Sequence, residues 1–321
     1  LSDKPLSKIC VPGSHDSGMY GYTYITKFAT VQNTKTQFFD IQMQLMQGIR
    51  SFDFRPVWRN SEFYFAHYSK VSVVGYQGAI GKSIESALQQ IATFFADEAN
   101  QNELVIINFS HFLDWDHRDD DDDHKLSKEQ QLKFVELLNK YIGHLLVKLD
   151  TNNLATVSVG ELVRSGNIIA VFDDFPIVNK NEDIDLTKGL YPDKNLPMKG
   201  SYANTDDLDD MVDNQKYKME KHPHDSSQGA FLMELSWQLT LQGAENTDPL
   251  GHSILKLAKK ANEALSAKMS KWLNNGVINE TVYPNILQTD ACFNQVTKAI
   301  AVSLAICEKI NQTQAKEAVL I

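Results

Sequence analysis

The feature that most constrains the fold of this chain is a repeated alternation of short apolar runs with sequence of helical periodicity. The runs have the length and continuity of buried strands, and all but one are followed by apolar residues at helical spacing. This pattern predicts an α/β fold, namely a single (β/α)8-type TIM barrel, irregular or distorted, formed by residues 1–321. The predicted strands lie near residues 9, 50, 64, 106, 170, 232 and 287, with an eighth between Gly200 and Ala203.

Two parts of the chain depart from strict alternation. The step from Arg55 to Phe63 joins one predicted strand directly to the next, without a helix between them. The segment near 176–225 is polar and irregular, with Pro, Gly, Asn and Asp throughout. A long insertion of this kind is typical of a lid or rim beside a site, although a disordered surface loop has the same composition.

Polar side chains follow several predicted strands at the point where each strand ends. In the first, Ile9 to Val11 is the apolar run, and Pro12 and Gly13 are expected to end it. An isolated His-Asp pair after a strand is more often a solvated turn than a site. Because strand ends from distant parts of a barrel converge on one face, however, we expect these side chains to lie together. The candidates are His15, Asp16, Asp53, Arg55, His67 and Asp290.

Two histidines, an arginine and carboxylates on one face suit phosphodiester chemistry. One imidazole can accept a proton from the nucleophile while the other donates a proton to the leaving oxygen. A guanidinium can hold the phosphoryl oxygens, and a carboxylate behind a histidine fixes its tautomer and favours the imidazolium. The sequence carries no motif for ATP, NAD or a thiol nucleophile, and the other histidines, His111 among them, are interpreted as surface or core residues.

The charge balance limits the partners of this chain. Its formal net charge of -10 argues against nucleic acid, because phosphate binding needs clustered Lys and Arg. The same charge argues against attachment to anionic membranes by electrostatics alone. The acidic run from Asp119 to Asp123 predicts a solvated loop, with adventitious calcium binding as the minor alternative.

Cysteine usage does not settle the compartment. Cys10, Cys292 and Cys307 cannot all pair within one chain, and Cys10 and Cys292 fall on or beside predicted core strands. The chain opens at Leu1 instead of Met, which a removed export signal would explain, as would a cloning boundary. We therefore expect a secreted, extracellular protein. No stretch approaches the ~18 uninterrupted apolar residues that span a bilayer.

The motifs that contain the candidate residues resemble the signature blocks of phosphatidylinositol-specific phospholipase C, in its bacterial and X-domain-only forms. The three specific blocks are Pro12 to Gly18, Gly48 to Arg55, and Phe65-Ala66-His67. Weaker likeness continues in the family's order over nearly the whole chain, through Val105 to Phe109, Ser165 to Ile169, Gln215 to Tyr217 and Asn285 to Asp290.

The resemblance implies a role for each catalytic candidate. His15 would be the general base on the inositol 2-hydroxyl, and Asp290 would orient it. His67 would be the general acid on the diacylglycerol oxygen, Arg55 the phosphate clamp, and Asp16 a partner near the leaving group. Attack by the neighbouring 2-hydroxyl needs no second molecule, so inositol 1,2-cyclic phosphate would form first, followed by inositol 1-phosphate.

Four further positions are implied to line the inositol pocket. Asp53 and Tyr217 match positions that do so in the family. Gln215 stands where the family has an aspartate, and Asp173 and Asp174 stand where the bacterial pocket carries a basic residue. The two departures bear on headgroup preference and leave the implied reaction unchanged.

The resemblance also bears on metal use and on partners. Calcium-dependent relatives have a carboxylate in place of Arg55, and a further Glu where this chain has Ser110-His111. It therefore implies an enzyme that requires no cofactor, with calcium at Asp16 and Asp53 as the alternative. The expected partner is phosphatidylinositol, met transiently at membrane surfaces by a monomer. Tyr20, Tyr22 and Tyr24 are candidates for contact with that surface.

Two other functions compete with this interpretation. A catalytically silent barrel could bind inositol phosphates or lipid headgroups, although both histidines are present. A metal-dependent glycerophosphodiesterase or sphingomyelinase barrel would need paired carboxylates around a metal in place of Arg55.

Overall fold

The computed structural model of the chain describes residues 1–119, 125–180, 187–225, 227–242, 253–291 and 296–317. Cys292 and Asp120 to Asp123, on which two of the expectations bear, lie outside these residues. The strands are β1 (Val11–Ser14), β2 (Tyr24–Ile25), β3 (Ser51–Phe54), β4 (Pro56–Arg59), β5 (Glu62–Val71), β6 (Gly75–Ser83), β7 (Val105–Phe109), β8 (Leu113–Asp114), β9 (Ile168–Phe172), β10 (Leu190–Pro192), β11 (Met198–Lys199), β12 (Leu232–Trp237) and β13 (Ile286–Thr289).

Helices follow most of the long strands. They are α1 (Ile41–Met46), α2 (Ile84–Ala96), α3 (Lys128–Ile142), α4 (Val159–Ser165), α5 (Pro176–Asn179), α6 (Leu208–Lys221), α7 (Ile254–Asn274) and α8 (Val296–Glu317). Short 3-10 turns lie at Leu6–Lys8, Glu98–Asn100, Leu154–Thr156 and Asp193–Asn195. Within the described ranges, no helix is both long enough and apolar enough to cross a bilayer.

An eight-stranded parallel sheet organises the molecule. Its strand order is β10-β9-β7-β3-β1-β13-β12-β11, so the first and last long strands of the chain, β1 and β13, lie side by side at its centre. The sheet is curled into a half-barrel with helices packed around it, which makes the fold an α/β distorted barrel and confirms the predicted fold class. Because all of its strands run the same way, their carboxyl ends meet at one face.

The helices pack where their apolar spacing predicts. In α2, Ser83 caps the amino end by accepting a hydrogen bond from Ser86 N–H, and Leu88 and Ile91 are fully buried on the face that meets the sheet. In α3, Ser127 and Gln130 form a capping box, and the ring of Phe134 meets that of Phe109 on β7 edge to face. Burial of each such side chain stabilises the fold by roughly 1.5–3 kcal/mol.

Strand β1 differs from its prediction. Pro12 and Gly13 do not end the strand but lie inside it, between β13 and β3. Pro12 is tolerated there because its carbonyl accepts a hydrogen bond from Arg50 N–H, at 3.0 Å. Gly13 fits because a Cβ at this position would lie 2.8 Å from Cγ2 of Ile286. The strand therefore ends immediately before His15.

The predicted strand near residue 64 is not a barrel strand. It is β5, in a second sheet of order β2-β6-β5-β4-β8, in which β4, β5 and β6 run antiparallel. The parallel sheet instead gains β10 and β11, and β11 lies just before the segment where an eighth strand was expected. The described part of segment 176–225, for which a lid or rim was expected, supplies two strands of the parallel sheet together with α5 and α6.

Candidate active site

His15 is held at the carboxyl end of β1 by its neighbours on both sides. Its N–H donates to Thr289 C=O of β13, at 3.1 Å, and its carbonyl accepts a hydrogen bond from the Gln37 amide, at 2.7 Å. The ring nitrogen Nδ1 lies 2.8 Å from Oδ1 of Asp290. Asp290 is itself 2% exposed. Donation from Nδ1–H to this carboxylate fixes the tautomer and leaves Nε2 facing the rest of the site.

The charge on His15 is set by two opposing effects. Burial lowers its pKa, but the carboxylates of Asp290 and Asp16 outweigh burial and raise the pKa to about 9. The guanidinium of Arg55 opposes that rise, with Nη2 lying 3.0 Å from His15 Nε2. The two carboxylates favour the protonated form of His15, whereas Arg55 Nη2, which can only donate, favours an unprotonated Nε2.

Arg55 joins two carboxylates at the centre of the site. It makes a bidentate contact with Asp16, in which Nε lies 2.8 Å from Oδ1 and Nη1 lies 3.0 Å from Oδ2. Its Nη2 lies 2.9 Å from Oδ2 of Asp53. Burial would lower the pKa of the guanidinium, but the two carboxylates outweigh burial and raise it. Burial likewise would raise the pKa of Asp53, and Arg55 and His15 reverse this effect and lower it.

Asp16 occupies a strained backbone position. Its φ of 41° lies in the left-handed region, where a residue other than glycine costs on the order of 1–3 kcal/mol. The position is held by Asp16 N–H, which donates to Asp53 Oδ2 at 3.2 Å, and by Thr36 Oγ1, which donates to Asp16 C=O at 2.9 Å. In this strained backbone conformation, the buried carboxylate of Asp16 points toward His15, His67 and Arg55.

His67 reaches the site from the second sheet. It lies within β5, and its Nδ1 is 3.2 Å from Thr34 C=O, in the long loop that follows β1. Its Nε2 lies 3.7 Å from Asp16 Oδ2, and His15 Nε2 lies 3.5 Å from the same oxygen. The structure thus brings together all six candidates predicted at strand ends, with the two imidazoles around one carboxylate oxygen.

Three members of this group could in principle hold a metal. His15, Asp16 and Asp53 offer ligand atoms within 4.8 Å of one another. Calcium takes 6–8 oxygen ligands, and the carboxylate oxygens that would serve are already bonded to the Arg55 guanidinium. In this arrangement the residues do not fit calcium, because Arg55 occupies the place between Asp16 and Asp53.

Comparisons with known proteins show sequence similarity to proteins that are named for a PI-PLC X domain. No protein-family model matches the chain. PI-PLC X domain-containing protein 3 of Danio rerio is 30% identical over 133 residues, covering 34% of this chain and 38% of that protein. The Homo sapiens protein of the same name is 26% identical over 165 residues, covering 44% of each chain. The chain spans less than half the length of the curated relatives it matches.

Solved structures extend the likeness to nearly the whole fold. Phosphatidylinositol-specific phospholipase C from Listeria monocytogenes superposes with a TM-score of 0.60 at 15% identity, covering 95% of each chain. A variant of the enzyme of that name from Staphylococcus aureus gives a TM-score of 0.61 at 15% identity, covering 94% of this chain and 95% of that one. The chain is similar in sequence to PI-PLC X domain-containing proteins and in fold to bacterial phosphatidylinositol-specific phospholipase C. The resemblance predicted from the sequence is confirmed.

Two polar side chains of this barrel, Asn108 and Glu234, were not predicted as site residues. Asn108 on β7 pairs in register with Asp53 on β3, so the two side chains lie on the same face. Glu234 on β12 accepts hydrogen bonds from Gln288 Nε2, at 3.2 Å, and from Ser236 Oγ, at 3.0 Å. Burial and the charge of Asp53 both raise the pKa of Glu234. These residues add polar side chains next to the cluster that contains Asp53 and Arg55.

His111 was also missed. It directly follows Ser110 beyond β7 at a φ of 55°, and its carbonyl accepts a hydrogen bond from Tyr68 OH at 2.7 Å. Burial lowers its pKa, and Arg55 lowers it further. It faces a cavity of about 240 Å³ at the carboxyl ends of β7 and β9. Asp173 is exposed and lines the same cavity, and its charge raises the pKa of His111. Its contact with substrate stays a prediction.

The two predicted pocket residues on α6 lie elsewhere. Gln215 is fully buried, and its amide accepts from Ser236 N–H, at 3.0 Å, and donates to Ser201 C=O, at 2.9 Å. Its polar atoms therefore join α6 to β12, and the contact of Gln215 with substrate stays a prediction. Tyr217 is 62% exposed on the same helix and stays a prediction.

Proposed function

We propose that this protein is a phosphatidylinositol-specific phospholipase C, which cleaves phosphatidylinositol to diacylglycerol and inositol 1,2-cyclic phosphate and then forms inositol 1-phosphate. The observation that carries the proposal is the placement of His15 Nε2 and His67 Nε2 around one Asp16 oxygen, with Arg55 between the carboxylates. The names of the sequence relatives and the shared fold support the same substrate class.

In the proposed mechanism, neutral His15 accepts the proton of the inositol 2-hydroxyl at Nε2. The 2-oxygen then bonds to phosphorus, the bond from phosphorus to the diacylglycerol oxygen breaks, and His67 donates a proton to that leaving oxygen. Asp290 stabilises the imidazolium that forms on His15. Because the nucleophile belongs to the substrate, the protein has only to orient it and move two protons.

Arg55 supplies the positive charge in this scheme. Its planar fork can donate to two phosphoryl oxygens at once, where charge shifts during the displacement. Asp16 and Asp53 hold the guanidinium in place before substrate arrives. The proposal therefore needs no metal, and a calcium-dependent enzyme or a silent headgroup-binding barrel is the alternative that the assay has to separate from it.

We expect cleavage of phosphatidylinositol vesicles to be unchanged by excess chelator. The measurement follows phosphorus resonances of the cyclic and the open inositol phosphate, with calcium present and again with chelator. Activity that vanishes with chelator and returns only with calcium would assign Asp16 and Asp53 to the metal. Vesicle lipid that binds the protein but yields neither phosphate under either condition would favour the headgroup-binding barrel.

We expect kcat/KM to rise with pH from the neutral range towards about 9, because only the neutral form of His15 can act as the base. Below that pKa, kcat/KM should rise by about tenfold per pH unit. Asp290→Asn should move the rise to lower pH, since it removes the carboxylate charge that raises the pKa of His15 most. A profile that is flat over this range would contradict the assignment of His15 as the base.

The same ionisation affects stability with a definite sign. Folding raises the pKa of His15 from about 6.5 in a free histidine. The protonated ring therefore stabilises the fold below that value, and this contribution is lost as the pH rises through about 9.

Secretion, a monomeric state and transient membrane contact belong to the same proposal, and gel filtration of protein from culture supernatant tests the first two.

A further inference from the structure

The turn between β5 and β6 exposes an unusual set of side chains. We call residues Val71 to Val74 the hairpin turn. Val73 is 90% exposed, and Val71 and Val74 are 42% and 39% exposed. Turns normally carry Gly, Pro, Asn, Asp or Ser, which supply the backbone angles or bond to the chain itself. Three exposed β-branched residues here do nothing for the fold in water, and such local conflicts are typical of functional surfaces.

Phe28 extends this apolar surface. It lies in the loop between β2 and α1 and is 50% exposed. Its N–H donates to the Gln77 side chain, at 3.4 Å, and the Gln77 amide in turn donates to Val74 C=O, at 2.9 Å. The loop and the hairpin turn are therefore joined through Gln77, and together they present aliphatic and aromatic groups on one convex surface.

The hairpin turn is rigidly connected to the candidate general acid. Antiparallel pairing runs without interruption from His67 and Ala79 to Val71 and Gly75. Val71 is four residues beyond His67, a distance of ~13 Å along a strand. The loop that carries Phe28 follows β2, and β2 pairs with β6 at Ala79, the residue opposite His67. Both parts of this surface therefore extend from the sheet that carries His67.

Basic side chains flank the apolar surface although the protein as a whole is acidic. Lys70 Nζ lies 5.4 Å from the centre of the Tyr76 ring, and Lys27 Nζ lies 5.5 Å from that of Phe28. The nearby carboxylate of Asp119 accepts a weak hydrogen bond from Tyr76 N–H and lies 3.3 Å from Arg118 Nη2. Lysines of this kind can place their stems along apolar groups and their ammonium groups at lipid phosphates.

We propose that the hairpin turn, with Phe28, inserts into the surface of a lipid bilayer and holds the site over its substrate. This rests on the proposed function, since a phospholipase must reach a lipid held in a bilayer. A convex apolar turn between two lysines fits a fluid apolar phase with phosphates at its edge. Membrane contact was expected from Tyr20, Tyr22 and Tyr24. Tyr20 packs against the core and the Tyr24 ring lies 4.5 Å from the Arg59 guanidinium, whereas Tyr22 is 47% exposed and its contact with a membrane stays a prediction.

The test compares Val73→Asp with Leu304→Asp, a substitution of an exposed leucine on α8. Binding is measured by co-sedimentation with vesicles of phosphatidylcholine alone, which separates docking from turnover. Turnover is measured on phosphatidylinositol vesicles and on a short-chain phosphatidylinositol dissolved as monomers. We expect Val73→Asp to weaken vesicle binding and vesicle turnover by about tenfold or more, with monomer turnover unchanged. Leu304→Asp should change none of the three.

Each other outcome has a defined meaning. Vesicle binding that Val73→Asp leaves unchanged would overturn the proposal. Equal losses on vesicles and on monomers would also overturn it, because the turn would then act on the site itself. Wild-type protein that self-associates until Val73 is replaced would assign the turn to a contact between two copies and overturn it as well. If the wild type binds vesicles through Val73 but cleaves neither substrate, docking stands and the proposed function fails.

Discussion

Replacing either His15 or His67 with alanine should lower the turnover of phosphatidylinositol by ~10²–10⁴, the range typical of a general acid or base. The two effects have different causes. Without His15 the 2-hydroxyl loses the group that removes its proton, and Asp290 loses its partner at 2.8 Å. Without His67 the diacylglycerol oxygen must leave as an alkoxide. Initial rates on vesicles, with protein concentration matched, measure both losses.

A second substrate separates the two roles. A soluble inositol phosphodiester with a good leaving group needs little protonation as it departs. It should therefore restore much of the rate of His67→Ala and little of the rate of His15→Ala. Equal rescue of the two variants would contradict the assignment of base and acid.

The matched control is His144→Ala. His144 is exposed in the turn after α3, at the end of that helix and away from the cluster. It should leave both substrates unaffected. Near-normal turnover of phosphatidylinositol by both site variants, with unchanged thermal midpoints, would show the proposed mechanism to be wrong.

The residues of the cluster could be predicted because their placement follows from one rule. Apolar runs identified the strands β1, β3 and β13, and a polar residue after such a run lies at the carboxyl face of a parallel sheet. His67 was found for a partly different reason. Its strand was visible as an apolar run, but the absence of a helix between Arg55 and Phe63 meant that β5 belonged to another sheet.

Other parts of the site depend on contacts that local sequence does not specify. Strands β10 and β11 have three and two residues, too short for periodicity to distinguish from loop. Asn108 and Glu234 lie in strands buried on both faces, where no alternation indicates which side chains point inward. A single polar residue inside each apolar run was the available signal, because a buried polar group needs a reason.

The left-handed conformation of His111 could not be predicted either. Its carbonyl accepts a hydrogen bond from Tyr68 OH on β5, a contact between segments that are distant in the sequence. Gln215 has partners that the sequence did not indicate. Its position in a family-like segment suggested a pocket residue, whereas burial in the contact between α6 and β12 gives its amide backbone partners.

Arg55→Lys should lower turnover by ~10²–10³, the loss typical when one preorganised donor to developing charge is removed. Lysine keeps the charge but has a single compact ammonium group. It cannot span Asp16 and Asp53 while presenting two parallel donors, as the guanidinium does with contacts of 2.8 to 3.0 Å. The KM for vesicle phosphatidylinositol should change less than kcat, because the fork acts mainly on charge that develops during displacement.

The matched control is Arg59→Lys, on β4, where the guanidinium lies over the Tyr24 ring and outside the cluster. Its turnover should equal that of the wild type.

Arg55→Asp tests whether this position can take part in binding calcium. It would add a third carboxylate to Asp16 and Asp53 and make a set of oxygens that suits calcium. We expect this variant to be inactive in chelator and to regain part of its activity with calcium. If Arg55→Lys retains wild-type kcat, the guanidinium fork is not what stabilises the phosphoryl oxygens, and the positive charge must come from elsewhere in the site.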